Sequence, residues 1–302
     1  MHRWRAGCKG FSIACSENLV DDPMNNSMDN STTAMPQGAC DCHVHIYEDR
    51  YPLAATATFK PPHAPAAAYR QMQQALGLQR AVLVQPTGYG FDNRCLIDAL
   101  AQMGASARGI AIVAPEVDDA ELERLHVAGV RGIRYMMIAG SGGPLAWDTL
   151  ERAAARIAPM GWNINLQLDG RDLPRYRALI DRLPCKVVID HIGKFLEPVL
   201  PGDAAFRALL DVLARPDRWI KLAAPYETSK LGPPHYDDVA VLARALLQAQ
   251  PERCLWASNW PHPNRVPQPS DAAMLALLRD WTGSDALRDQ VLAKNPAAVY
   301  GF

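Results

Sequence analysis

Eight short apolar runs, each followed by a longer segment with helical spacing, constrain this chain more than any other feature. The runs span 40–46, 81–85, 109–113, 132–138, 163–168, 186–190, 219–223 and 254–258. Segments such as 66–76, 120–128 and 147–158 carry apolar residues three and four apart, as on an amphipathic helix. Gly77, Gly129 and Gly161 stand just past these segments, where a helix stops most easily on a left-handed residue. Strands alternating with helices predict a parallel sheet, because a parallel neighbour is reached only by a crossover. About eight such units in roughly 260 residues fit a closed (β/α)8 barrel better than an open sheet. Chemistry in such a barrel belongs at the carboxyl ends of the strands.

The barrel domain is expected over 38–302, preceded by a disordered extension over 1–37. The extension opens like a signal peptide, but Gly10, Ser12 and Ser16 break its apolar run, and Met28 or Met35 offers an alternative start. Its polar remainder has too few apolar groups to form a core. A net charge of −1 with both signs interspersed gives no field for nucleic acid or an anionic membrane. No stretch reaches the roughly 18 apolar residues that span a bilayer. The seven cysteines are odd in number and lack Cys-x-x-Cys spacing, so they read as buried thiols of a soluble protein in a reducing cytoplasm.

Polar residues gather where the strands should end. The first strand carries D-C-H-V-H, and His43 and His45, two apart, share a strand face. The sixth ends in D-H-I-G-K, which brings His191 and Lys194, and the eighth in W-A-S-N-W-P-H-P, which brings Asn259 and His262. Arg134 and Tyr135 belong to the fourth strand, Gln167 and Asp169 to the fifth, and Lys221 and Tyr226 to the seventh. Each has a purely structural alternative. Asn259 could cap a helix, Arg134 could pair with a neighbouring carboxylate, and His191 could be a satisfied core histidine. Arg94 and Arg265 read as solvated loop residues.

These motifs, H-V-H, D-H-I-G-K and W-A-S-N-W-P-H-P in that order, resemble the amidohydrolase superfamily. More narrowly they are similar to its lactone-processing branch, which includes 2-pyrone-4,6-dicarboxylate lactonase and D-galactarolactone isomerase. L-Q-L-D-G (166–170) and P-Y-E-T-S (225–229) extend the likeness. The resemblance implies a distorted (β/α)8 barrel. Many members hold metals on the first-strand histidines with a fourth-strand lysine, fifth- and sixth-strand histidines and an eighth-strand aspartate. Here Arg134, Gln167 and Asn259 stand at the fourth, fifth and eighth strands. An arginine cannot ligate and neutral amides do not offset a dication. The branch is largely metal-independent, so no metal and no cofactor are expected.

By the same resemblance His43, His45 and His191 polarise a lactone carbonyl. Arg134, Lys194, Tyr47, Gln167, Tyr226 and His262 hold a small lactone bearing a carboxylate. The branch's hydrolases use the eighth-strand aspartate as base on water, and Asn259 leaves that role vacant. Loss of a base costs about 10²–10⁴-fold in rate. A hydroxyl already on the substrate can recover more, with effective molarities of about 10⁵–10⁸ M. The expected reaction is therefore isomerisation of a sugar-diacid 1,5-lactone to the 1,4-lactone. The alternatives are a lactone hydrolase in which His262 replaces the base, a metal-dependent decarboxylase, and an inactive carboxylate-binding module.

Overall fold

A computed structural model describes residues 34–302, so most of the expected extension, with Cys8, Cys15 and Met28, lies outside the described residues. Eight strands hydrogen-bond in chain order, and every pair is parallel. They are β1 (Cys40–Val44), β2 (Arg80–Val84), β3 (Ala107–Ala111) and β4 (Val130–Met136). β5 (Asn163–Gln167), β6 (Lys186–Ile189), β7 (Arg218–Leu222) and β8 (Cys254–Trp256) complete the sheet. Each expected run is a strand, and each expectation ran one or two residues too far at the carboxyl end. Residues just past the ladder, such as Gln85, Asp190 and Ser258, stay buried because they line the barrel mouth. Burial there outlasts backbone pairing.

Helices α1 (Ala66–Ala75), α2 (Arg94–Met103), α3 (Asp119–Val127) and α4 (Leu150–Ile157) follow the first four strands. α5 (Leu173–Arg182), α6 (Ala204–Leu213), α7 (Asp237–Ala249) and α8 (Asp271–Thr282) follow the rest. Gly77, Gly129 and Gly161 all have positive φ, as their places after helices required. Arg94 corrects an expectation: it opens α2 instead of lying in a loop, although its side chain is exposed and paired with Asp92. No helix of the described residues is long and apolar enough to cross a membrane.

Alternation along the strands separates two apolar layers. Cys42, Val82, Val84, Ile110, Val188 and Leu255 form the interior cluster, joined by Val299 and Tyr300 from the C-terminal segment. The outer layer packs strand residues such as Leu83 and Ile164 against helix residues such as Phe206 and Leu125. A register shift between Asp41 and Val44 on β1 lets both Cys42 and His43 serve the interior, which strict alternation forbids.

The barrel closes through the residues after β8. Val44 bridges Trp260, the Asn259 N–H donates to the His43 carbonyl at 3.0 Å, and the His45 N–H donates to the Trp260 carbonyl at 2.8 Å. The buried Asp41 carboxylate accepts from the Ser258 N–H and hydroxyl and from the His43 N–H. Burial still pushes its pKa up to about 6 against those donors. The motif residues of β1 and β8 are thus the seam of the barrel.

Gly170 sets the next constraint. A Cβ there would lie 2.5 Å from the Phe195 ring and 2.6 Å from the Gly193 carbonyl oxygen, so only glycine lets the loop after β6 pack down. Gly170→Ala should cost about 1–3 kcal/mol in urea unfolding, the range of an overpacked core. It should also lower turnover, because the same loop carries His191 and Lys194.

Candidate active site

A buried ammonium organises the mouth of the barrel. Lys221, on β7, points inward with its side chain sealed from solvent. Its Nζ lies 3.0 Å from His43 Nδ1 and 3.1 Å from Asp190 Oδ1, and it donates to Asn165 Oδ1 on β5. His43 and Asn165 accept hydrogen bonds from the ammonium, and Asp190 balances its charge as an ion pair. Burial would raise the Asp190 pKa, but the Lys221 ammonium overcomes it and holds the carboxyl well below its usual range.

That ammonium determines where the imidazole protons sit. His45 Nδ1 lies 2.7 Å from the Val84 carbonyl, which can only accept, so Nδ1 carries the proton. Burial, reinforced by the Arg134 charge, pushes the His45 pKa down to about 3, so its Nε2 is bare. His43 Nε2 is 3.1 Å away and donates to it, which leaves His43 Nδ1 free to accept from Lys221. Burial and the Lys221 charge hold His43 neutral as well. His43 is fully buried beneath the cavity, a correction to its expected place against the carbonyl.

His45, Tyr47, Arg134, Gln167, His191, Lys194 and Asn259 do come together, around one cavity of about 180 Å³. His191 opens a left-handed run with φ of 54° at His191, 56° at Ile192, 82° at Gly193 and 43° at Lys194. Side chains rarely adopt that backbone, and from it the His191 and Lys194 side chains both line the cavity. His191 Nδ1 is buried with no partner, and burial lowers its pKa to about 4. Arg134 donates to the Gln85 carbonyl at 2.9 Å and to Gln167 Oε1 at 3.1 Å. Both partners are neutral, so the carboxylate of a structural salt bridge is not what holds it. Burial raises the Tyr47 phenol, which therefore stays a neutral hydroxyl.

Asn259 is buried at φ 63° and caps nothing; Ser270 caps α8. Its Nδ2 lies 2.9 Å from Tyr226 Oη and 3.3 Å from Glu227 Oε1. A carboxylate can only accept, so this atom is the amide nitrogen. Glu227, in the turn after β7, also pairs with Lys194 and lines the cavity. An aspartate at 259 would press one carboxylate against another. Glu227 went unassigned in the sequence although P-Y-E-T-S contains it; its signal was an acid just past a strand end.

Tyr226 and His262 lie behind Asn259, outside the cavity. His262 is 2% exposed, with Tyr226 Oη 2.8 Å from Nδ1 and Asp271 Oδ1 2.9 Å from Nε2. Both ring nitrogens are engaged, and His262 does not line the cavity. Tyr226 borders a larger cleft of about 460 Å³ whose walls are rich in proline, and Arg265 stacks on its ring. Tyr135 turns to Thr149 and Asp169 to Arg171, both away from the site.

The comparisons agree with this geometry. A family model described as amidohydrolase matches residues 40–302. The chain belongs to the amidohydrolase family. It is 33% identical over 279 residues to the 2-pyrone-4,6-dicarboxylate hydrolase of Comamonas testosteroni, covering 88% of this chain and 91% of that one. It is 31% identical over 273 residues to the D-galactarolactone isomerase of Agrobacterium fabrum, covering 88% and 92%. A solved apo structure from Agrobacterium tumefaciens matches with a TM-score of 0.84 at 30% identity, covering 89% and 98%.

Since many amidohydrolases hold metals, the donors require a test of fit. His43, Asp190 and His191 offer ligand atoms within 4.8 Å of one another. Two of the three residues already engage the Lys221 ammonium. Arg134 and Lys194 add positive charge from other walls of the cavity. A divalent ion would meet an ammonium in direct contact with two of its ligands, and as arranged these donors do not fit one.

The buried imidazoles link stability to pH. In the unfolded chain each titrates near pH 6.5, whereas His45 and His191 hold off protonation to about 3 and about 4. Between those limits the unfolded chain binds the extra protons, so stability rises with pH; Asp41, raised to about 6, opposes this as pH rises through its folded value. His191→Gln should flatten the slope of unfolding free energy between pH 4.5 and 6.5 by about 1 kcal/mol per unit, below the limit of about 1.4 for a whole proton. Urea unfolding across that range measures it, and an unchanged slope would mean that His191 is not held neutral.

Proposed function

We propose that this amidohydrolase is a metal-independent isomerase that converts a sugar-diacid 1,5-lactone to the 1,4-lactone by attack of the substrate's own hydroxyl. Asn259 carries the reading. The position from which a hydrolase of this type would activate water is a neutral amide, and its nitrogen is committed to Tyr226 and Glu227. The relatives named for lactones support the substrate class. The charges support an anionic substrate, since two cations, Arg134 and Lys194, stand against one carboxylate, Glu227, on the cavity wall. The cavity volume suits a single small ring. The five cysteines among the described residues are free and buried, in keeping with a reducing cytoplasm.

In this reading Arg134 receives a substrate carboxylate, its planar fork matched to two oxygens. His191, on the cavity wall, donates to the lactone carbonyl as its oxygen becomes negative. His45 walls the cavity, while His43, Asp190 and Lys221 hold it in orientation from beneath. The attacking hydroxyl, one carbon nearer the carbonyl than the ring oxygen, forms the five-membered lactone as the six-membered ring opens. No water is consumed.

A lactone hydrolase is the second reading, favoured by Glu227, a carboxylate on the cavity wall. Incubation with D-galactaro-1,5-lactone in ¹⁸O-water separates the two by mass spectrometry and NMR. Unlabelled 1,4-lactone is the expected product, and ring-opened acid carrying ¹⁸O above the uncatalysed rate would overturn the isomerase.

Two further outcomes are expected. Arg134→Met should lower kcat/KM by about 10²-fold or more, as loss of a charge-assisted pair does. Dialysis against EDTA should leave turnover unchanged and added zinc should not raise it; a loss of activity that zinc restores would sink metal independence.

A further inference from the structure

We infer that Glu227 takes the proton from the attacking hydroxyl and returns it to the departing ring oxygen, and that an anionic group of the substrate frees it to do so by drawing Lys194 away. The inference rests on the isomerase reading and supplies the base that Asn259 cannot be. Among the described residues that line the cavity, Glu227 is the one carboxylate, because Asp190 is sealed beneath.

Glu227 is held from two sides. Its Oε2 pairs with Lys194 and its Oε1 accepts from Asn259 Nδ2, with the Glu227 and Lys194 side chains 16% and 13% exposed. Lys194 and Glu227 reach the same cavity from different strand ends, after β6 and β7. A carboxylate entering that cavity therefore meets Lys194 already bound to a carboxylate of the protein. Exchange of one for the other moves no net charge out of the pair, and it leaves Glu227 with Asn259 alone.

The groups that face Glu227 determine what that exchange does. Burial favours its neutral form, and Lys194 first, then His191 and Arg265, pull the other way, leaving a pKa of about 2. Arg134 and Tyr47 face it from the far side of the cavity, and Tyr226 from its own turn. A carboxylate at that value is a poor base, so water in the empty cavity goes unactivated. With Lys194 withdrawn, burial dominates and the carboxylate becomes a competent acceptor while the substrate occupies the space water would need.

The step balances without another reactant. The hydroxyl oxygen bonds to the carbonyl carbon as its proton passes to Glu227, and the carbonyl electron pair moves to the oxygen facing His191. Collapse restores the carbonyl, breaks the bond to the ring oxygen and sends the proton from Glu227 to that oxygen. The attacking and departing oxygens share one carbon, so one carboxylate can serve both.

The test follows kcat and KM against pH for the full-length enzyme with D-galactaro-1,5-lactone in ¹⁸O-water, alongside Glu227→Gln and Glu227→Asp. Glu227→Gln should lower kcat by about 10²–10⁴-fold, the usual worth of a positioned base, with KM within a few-fold. The acid limb of the kcat profile should vanish with it. Glu227→Asp should fold and keep a shifted limb, which decides the matter if the glutamine variant does not fold. Unlabelled isomer formed by Glu227→Gln within about threefold of the parent kcat would overturn the role of Glu227 and leave the isomerase intact. An acid limb that stays put in both variants would do the same. Labelled acid from the parent enzyme would remove the isomerase reading and this proton cycle together.

Discussion

A lysine ammonium buried inside a barrel has to be answered, and the answer given to Lys221 arranges most of the site. It bonds to Asn165 on β5 and His43 on β1 and pairs with Asp190 after β6, so one charge ties together strands from opposite parts of the sheet. A buried ion pair is weak evidence of stability, because removing both charges from water costs several kcal/mol per ion. What it supplies here is order. The ammonium makes His43 an acceptor on one nitrogen and therefore a donor on the other, and His45 is oriented in turn between His43 and Val84. The imidazole pair that suggests a metal site from its spacing becomes a one-way hydrogen-bond chain.

The second organising fact is that closure of the barrel and construction of the site use the same residues. Asn259 donates its backbone N–H across the seam to His43 and its side-chain amide to Tyr226 and Glu227. Asp41 gathers Ser258 and His43 from the two sides of that seam. A change that loosens the seam therefore also moves the amide and the imidazoles. Behind Asn259, Asp271 orients His262 and His262 orients Tyr226. The chain spends two residues that look catalytic on holding one amide in place. An asparagine at this position is the natural neighbour of a carboxylate that is already there.

Much of this was legible along the chain. The eight strands followed from apolar runs bounded by turns, and the histidines, Arg134, Lys194 and Asn259 were visible as polar groups at strand ends. Three things were not. His43 and His45 share a strand face, but depth along the barrel axis, which seals His43 and exposes His45 to the cavity, depends on how the strands tilt and shift. His262 follows a strand end as closely as Asn259 does, yet a left-handed turn at each sends their side chains to different places. Glu227 carried no pattern of its own, since a single acid past an apolar run is common on any surface, and Lys221, visible on the seventh strand, gave no sign of the partners that it would gather.

The division has a physical basis. Periodicity, helix stops and the choice of an amide at 259 are local properties, written in residues near one another in sequence, and they determined the barrel, its eight units and the end at which chemistry occurs. Which nitrogen bears a proton, which cation is left without a carboxylate and which acid stands beside Asn259 depend on groups brought together from β1, β5, β6, β7 and β8. Those contacts exist only once the barrel has closed. Buried charge is settled by everything within a few ångströms of it, whatever the separation along the chain.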